Sequence, residues 1–258
     1  MKGYMYSQQG TLFGERKVVG FGDDEFWVSQ IDRDLANDLI VKNHYSKKYY
    51  SASYIHLGIF TEKEDLVGVL QYGYAMNPAS QGGVVTGTPI DCYLELNRMW
   101  IDDKIGKNAE SKAISYSLKF IKAAYPKIRW VQSFADERCN LLGVVYQAAN
   151  FLYCGYHETT FWELDDKFYH KSLMERNPRL SRSARYLQDN KERAKPHLYR
   201  QFRYIYFLKK KYRNDLLLRV LEYPKWAAEV SREKQPATSR QGGGQSPDAA
   251  FVNLGFPC

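Results

Sequence analysis

The spacing of apolar and polar positions divides the first two thirds of the chain into alternating strands and helices. Residues 26–31 have strand character. After Asp34, an N-cap type of residue, Leu35, Ala36, Leu39 and Ile40 recur at helical spacing, so a helix runs to about Asn43-His44-Tyr45-Ser46. Residues 54–60 and 66–74 read as strands joined by a charged turn, and a Gly/Pro/Ser-rich loop fills 77–89. A strand over 92–101 precedes a helix over 109–124, with Ala113, Ile114, Leu118, Ile121 and Tyr125 on one stripe and Pro126 as its stop. A buried strand (128–134), a helix (142–149) and strands at 158–164 and 201–208 complete the pattern, and a last helix is predicted near 215–229.

Charge changes this picture by locating a partner surface. The 258 residues carry 37 Lys+Arg against 29 Asp+Glu, a net charge of +8. Fourteen basic and three acidic side chains fall in 171–213, so this segment holds +11 and the rest of the chain sums to −3. Tyr186, Tyr199, Phe202, Tyr204, Tyr206, Phe207 and Tyr212 are interleaved with it. Basic groups neutralise phosphates and aromatic faces stack on exposed bases, so a nucleic acid is the expected partner. Arg179, Arg182, Arg185, Lys191, Arg193, Lys195 and Arg203 are the expected contacts. The plainer alternative is a solvated basic face over an aromatic core.

Other features narrow the class. Cys92, Cys139, Cys154 and Cys258 form no C-x-x-C pair, which argues against a zinc knuckle or a disulfide framework. The polar start has no apolar core of a signal peptide, and the uncharged stretch 139–157 carries Asn140, Gln147 and Asn150. A cytoplasmic protein without a membrane span is expected. The expected organisation is one catalytic domain over 1–230 with a basic insertion at 166–200, then a disordered tail over 231–258.

The order of elements resembles the GCN5-related N-acetyltransferase (GNAT) fold, an α/β fold with a mixed, partly splayed central sheet and flanking helices. In that fold a Q/R-x-x-G-x-G/A loop opens the helix after the splayed strand and cradles the CoA pyrophosphate on backbone N–H groups. Here Lys104, Gly106, Lys107, Asn108 and Ala109 occupy the loop. Lys104 stands first, Lys107 replaces the central glycine, and Ala109 fits. Ser111 and Lys112 in the first helical turn can add to a phosphate site or be solvated. Tyr146-Gln147-Ala148-Ala149-Asn150-Phe151 resembles the Y-E-x-x-G-F helix end whose tyrosine often acts as general acid. Read without the resemblance, Tyr146 is a core tyrosine.

Two further residues carry candidate chemistry. His44, between a helix end and a strand, reads as base, metal ligand or C-capping histidine. Asp136 follows a buried strand, where open α/β sheets bind ligands, and reads equally as the N-cap of the next helix. A two-His, one-carboxylate metal set could be drawn from His44, His157, His170 and Asp136. No D/N-P-P-Y/F motif occurs, which weighs against an ordinary adenine N6-methyltransferase, and no P-loop or H-E-x-x-H is present.

Over roughly residues 25–215 the chain also resembles the phage Mom family of DNA adenine modification proteins. The residues that carry this are Asn43-His44-Tyr45-Ser46, Leu96-Asn97-Arg98-Met99-Trp100, Asn108-Ala109-Glu110-Ser111-Lys112, Ser133-Phe134-Ala135-Asp136-Glu137-Arg138 and Val145-Tyr146-Gln147-Ala148-Ala149-Asn150-Phe151. Gln201-Phe202-Arg203-Tyr204-Ile205 extends it. The resemblance implies conversion of adenine N6 to a carbamoylmethyl (methylcarbamoyl) derivative that protects phage DNA from restriction, within the host cytoplasm. It implies catalytic roles for His44, Ser111, Asp136 and Tyr146, acetyl-CoA or a related acyl donor, and iron, for which His44 and Asp136 would be ligands. Two other classes stay open: a GNAT N-acyltransferase acting on a protein or small amine, and a non-catalytic DNA-binding module.

Overall fold

The computed structural model describes residues 3–8, 17–139 and 142–225. Ten strands form one sheet in the order β1-β2-β3-β4-β5-β6-β7-β10-β8-β9. They are β1 (Tyr4–Gln8), β2 (Lys17–Gly22), β3 (Phe26–Gln30), β4 (Ser53–Thr61), β5 (Leu66–Gly73), β6 (Tyr93–Ile101), β7 (Trp130–Asp136), β8 (Leu152–Leu164), β9 (Lys167–His170) and β10 (Lys195–Phe207). The helices are α1 (Arg33–Asn43), α2 (Pro78–Gly82), α3 (Ala109–Ala124), α4 (Val144–Ala148), α5 (Ser172–Glu175) and α6 (Arg182–Asp189). Neighbouring strands are antiparallel except β6 and β7, which run parallel. The mixed α/β architecture expected from the order of elements is the architecture found.

Helix α3 has the bounds its stripe predicted. Ala113, Ile114, Leu118 and Ile121 are buried in one cluster with Leu94, Val131 and Tyr204 of the sheet. Removing one such side chain to alanine costs roughly 2–5 kcal/mol, so this contact fixes α3 on its face. Helix α1 covers the opposite face, with Ala36 and Ile40 against Val69. It starts earlier than expected: Asp32 is its N-cap and makes no side-chain capping bond, while Asp34 lies in the first turn, where a carboxylate meets the positive end of the dipole.

Four expectations change. Strands β1 and β2 extend the sheet beyond its predicted edge. Strands β8 and β10 are each 13 residues long, far longer than the expected 158–164 and 201–208, and pair from Lys195↔Glu163 to Ile205↔Leu152. Within 166–200, the expected insertion is a folded arm of β9, α5, α6 and the start of β10, around Leu164, Leu187 and Ala194. No helix occupies 216–225. After a 3-10 turn at Lys210–Asp215 the chain runs as an extended strap, with Leu216 bridged to Val85 and the Leu221 N–H donating to the Tyr153 carbonyl. The expected tail over 231–258 lies outside the described residues, and among those described no helix is long and apolar enough to cross a membrane.

Candidate active site

The parallel pairing of β6 and β7 lasts three residues, Tyr93↔Trp130 to Glu95↔Gln132, after which both strands continue and part. A bulge assists the separation. Gln71 of β5 faces Arg98 and Tyr72 faces Leu96, so Asn97 is the extra residue that bends β6. Its side chain is pinned on three sides: Ser53 Oγ donates to its Oδ1 at 2.9 Å, and its Nδ2 donates to the Tyr74 carbonyl at 3.1 Å and to Glu95 Oε1 at 3.3 Å.

The parted strands open two cavities. One, of about 480 Å³, faces α3 and α4 and is lined by His44, Asp103, Glu110 and the segment from Leu142 to Tyr146. The other, of about 370 Å³, is lined by Glu95, Gln81, His157, His170 and Gln201. They share Tyr45, Leu96, Asn97, Arg98, Phe134 and Asp136 as walls. A ligand on each side can therefore meet at the gap.

Of the four expected catalytic residues, His44, Asp136 and Tyr146 come together in the larger cavity, and Ser111 does not line it. Ser111 Oγ donates instead to the Asn108 carbonyl at 3.1 Å. The Ser46 N–H donates to His44 Nδ1 at 3.1 Å, and Ser46 Oγ lies 2.8 Å from the same atom. A ring nitrogen that accepts carries no proton, so the neutral imidazole holds its proton on Nε2. Burial, followed by the charges of Arg98 and Lys47, lowers its pKa to about 4, so the ring is neutral at pH 7. Asp136 is gripped by Arg138, whose Nε lies 3.2 and 3.0 Å from its two oxygens and whose Nη2 lies 2.5 Å from Oδ2. The Asp136 carboxylate also accepts from the Arg138 N–H at 3.0 Å. Burial raises the Tyr146 hydroxyl pKa against a hydrogen bond with Ser133, whose Oγ reaches the Leu96 carbonyl across the two strands. Tyr146 is therefore a protonated donor.

The expected iron ligands do not form a ligand set. Among the described residues no three His, Cys, Asp or Glu side chains converge as metal ligands would. His44 and His170 each have Nδ1 occupied by a serine N–H two residues on, and both Asp136 oxygens are engaged by Arg138. The expected cofactor loop only borders the larger cavity. Asp103 and Glu110, on either side of it, are wall residues, whereas Lys104, Gly106, Lys107, Asn108, Ala109 and Lys112 are not. Lys112 Nζ is paired with buried Asp23 at 3.2 Å, and the site's wall near the loop is acidic.

Of the expected DNA contacts, Arg179, Arg182, Arg185, Lys191, Arg193 and Lys195 are exposed on the arm, with Arg193 paired to Asp165. Arg203 differs. It lies half-buried on the sheet, 5.0 Å above the Phe134 ring, with Nη1 buried. Three wall residues were not expected: Tyr45, Arg98 and Glu95. The signal for Glu95 was a lone carboxylate inside the otherwise apolar start of β6, Tyr93-Leu94-Glu95-Leu96. Burial raises its pKa to about 6, against hydrogen bonds from Gln132 (2.9 Å) and Asn97 and the charges of Arg98 and Arg203.

The sequence profile of the Mom protein family matches residues 25–225. Methylcarbamoylase mom of Escherichia phage Mu is 50% identical over 214 residues, covering 82% of this chain and 88% of its own. Among solved structures, the ribosomal L7/L12 alpha-N-protein acetyltransferase RimL overlaps at a TM-score of 0.42 and 11% identity, covering 72% of this chain and 96% of its own. Spermidine N-acetyltransferase from Vibrio cholerae, solved with CoA and spermine, overlaps at 0.42 and 10%, covering 74% and 100%. At that distance the overlaps say nothing about the reaction.

Proposed function

The chain belongs to the Mom protein family and is a transferase, and we propose that it converts adenine N6 in double-stranded DNA to the carbamoylmethyl (methylcarbamoyl) derivative, protecting phage DNA from restriction in the host cytoplasm. The observation that carries this reading is the pair of cavities meeting at the β6/β7 gap, which gives a donor and an acceptor base separate entrances to one reaction point. Adenine N6 is a poor nucleophile because its lone pair is delocalised into the ring. The enzyme must therefore extrude the base, align the amine and stabilise the departing group.

In this reading the larger cavity takes an acyl-type donor, a CoA thioester or a relative of one. Such a donor supplies the electrophilic carbon. The His44 Nε2–H can hydrogen-bond to negative charge that develops on the donor, and the Tyr146 hydroxyl can protonate the leaving group. Asp136 and Arg138 form one rigid unit at the gap, where they hold the wall that both ligands touch. Attack on a thioester carbonyl gives an N6-acyl adenine, whereas the carbamoylmethyl product is joined through a CH2 and carries an amide nitrogen. The donor must therefore present that CH2 carbon to N6, or the transferred group must be rebuilt with an added nitrogen in a further step. The exposed cations of the arm would hold the duplex by its phosphates, giving affinity with little sequence information.

The test is expression in a bacterium, digestion of plasmid DNA to nucleosides and mass measurement of the deoxyadenosine fraction. A gain of one carbamoylmethyl unit is expected. Unmodified deoxyadenosine from cells rich in folded protein would refute the reading.

A further inference from the structure

Two of the residues that line the smaller cavity carry buried, unmatched polar atoms. Gln81 Oε1 and Gln201 Nε2 line it, are buried, and have no hydrogen-bond partner among the described residues. Gln132 Oε1 and Arg203 Nη1, which stand around Glu95, are buried and unmatched as well. Buried polar atoms are nearly always satisfied, so a donor and an acceptor left unmatched on one cavity's wall point to a ligand that satisfies them. Of the two that line the cavity, Gln81 Oε1 is an acceptor and Gln201 Nε2 a donor. The ligand must therefore offer hydrogen-bond donors and acceptors side by side, and the flat rings of Phe134 and Phe161 on the walls suit a planar heterocycle.

Of His44, Asp136 and Glu95 at the gap, Glu95 alone has lone pairs left to take a proton. His157 and His170 also line the smaller cavity, but burial lowers the pKa of both rings and His170 Nδ1 already accepts from the Ser172 N–H. His44 accepts on Nδ1 and holds a proton on Nε2. Both Asp136 oxygens are committed to a guanidinium. Glu95 receives one neutral amide on each oxygen, from Gln132 and from Asn97, and keeps a free lone pair on each. It sits at the last paired residue before β6 and β7 part, on the wall of the smaller cavity.

We propose that the smaller cavity is the seat of the extruded adenine, with Gln81 and Gln201 reading its hydrogen-bonding edge and Glu95 accepting the N6 proton. The inference rests on the reading of the chain as an adenine-modifying transferase. The N6 lone pair forms the new bond to the electrophilic carbon of the donor. The bond from that carbon to its leaving group breaks, the leaving group keeps the electron pair and takes the Tyr146 proton, and one N6 proton passes to the Glu95 carboxylate. A buried carboxylate with its pKa near neutrality is matched to that task. The same carboxylate disfavours two of the other three bases. Guanine and thymine present a carbonyl where adenine presents its amine, and would set oxygen against oxygen in a desolvated pocket.

The test measures modified deoxyadenosine in plasmid DNA from cells expressing wild-type protein, Glu95→Gln, Glu95→Asp, Gln81→Leu and Gln201→Leu, beside DNA retention and the melting curve of each purified protein. Glu95→Gln is expected to lower modification at least ~100-fold, with DNA retention unchanged; its NH2 replaces an oxygen that accepts from Gln132 or Asn97, so the melting curve identifies the folded protein on which the loss is read. Glu95→Asp should recover part of the loss. The two leucine variants should each fall about tenfold, the loss expected for one hydrogen bond of ~1.4 kcal/mol. Wild-type modification by folded Glu95→Gln, or by both leucine variants, overturns the proposal while leaving the proposed function intact. If Glu95→Gln does not fold, the Glu95→Asp and leucine variants decide by the same criterion. Absence of modification by the wild type removes the proposed function and this inference with it.

Discussion

His44 shows how a neighbour two residues away decides what a side chain can do. The sequence offered it as base, ligand or cap, and the Ser46 N–H on Nδ1 leaves a hydrogen-bond donor facing the larger cavity. Replacement by Gln, whose amide can reproduce the Nε2–H, should retain much of the modification that His44→Ala loses, a loss of about 100-fold or more. Equal losses would show that the ring acts as a base. Stability gives a second readout. The folded pKa of about 4 lies below the unfolded 6.5, so between these values the unfolded chain binds the proton and the folded chain does not. Stability from this group falls as pH drops through that window, by on the order of 3 kcal/mol at full extent. Glu95 acts in the opposite sense, since its folded value of about 6 exceeds the unfolded 4.5 and stability rises as pH falls between them. Urea unfolding at pH 7, 5 and 4 should therefore show His44→Gln losing less stability on acidification than the wild type. Parallel losses would contradict the buried, neutral ring.

The β6/β7 gap belongs to the scale of elements, and Asn97 holds its shape. Asn97→Ala removes three hydrogen bonds, from Ser53, to Tyr74 and to Glu95, and leaves buried groups without partners. A loss of about 2–4 kcal/mol by urea unfolding is expected, with modification reduced beyond the loss of folded protein. Loss of less than ~1 kcal/mol would mean that the bulge is held by the strands alone. Helix α3 was legible to the residue because a 16-residue amphipathic stripe and Pro126 leave one solution. The helix expected after Asp215 was not: Leu216 and Leu218 pack beside Tyr93 and Trp130, and backbone bonds to Val84 and Tyr153 hold the strap extended, so tertiary contacts override local propensity. Strand β10 looked short because its outer half, Lys195–Arg200, is polar, and β8 looked short because its inner half, Leu152–His157, lies in the uncharged stretch that follows the helix. Their outer halves stabilise one another as an arm, a pairing between residues about 30–40 apart that period-2 alternation does not reveal. For the candidate site, the motifs singled out His44, Asp136 and Tyr146, which the fold places on one cavity, whereas singling out Glu95 depended on knowing where two strands separate.

At the scale of the whole molecule, the +11 segment resolves into two parts with different work. Arg182 and Arg185 stand exposed on α6, within the arm, and are free to meet phosphates. Arg203 shares their charge and sequence neighbourhood but lies on the sheet among Glu95, Phe134 and Cys154, where burial lowers its pKa. The two kinds of arginine should therefore respond differently to removal. Replacing Arg182 and Arg185 together by Ala should weaken DNA retention and reduce the slope of log affinity against log salt, by about 0.9 for each phosphate that is no longer neutralised. Melting should shift little, because both side chains are exposed. Arg203→Ala should leave the salt slope unchanged and instead lower the melting temperature and the modification of adenine, because it removes the guanidinium over the Phe134 ring and a positive charge that acts on Glu95. Retention measured from 50 to 200 mM salt with melting curves separates these outcomes. An unchanged slope for the double variant would move the duplex off α6, and a slope altered by Arg203→Ala would bring the phosphates to the cavity itself.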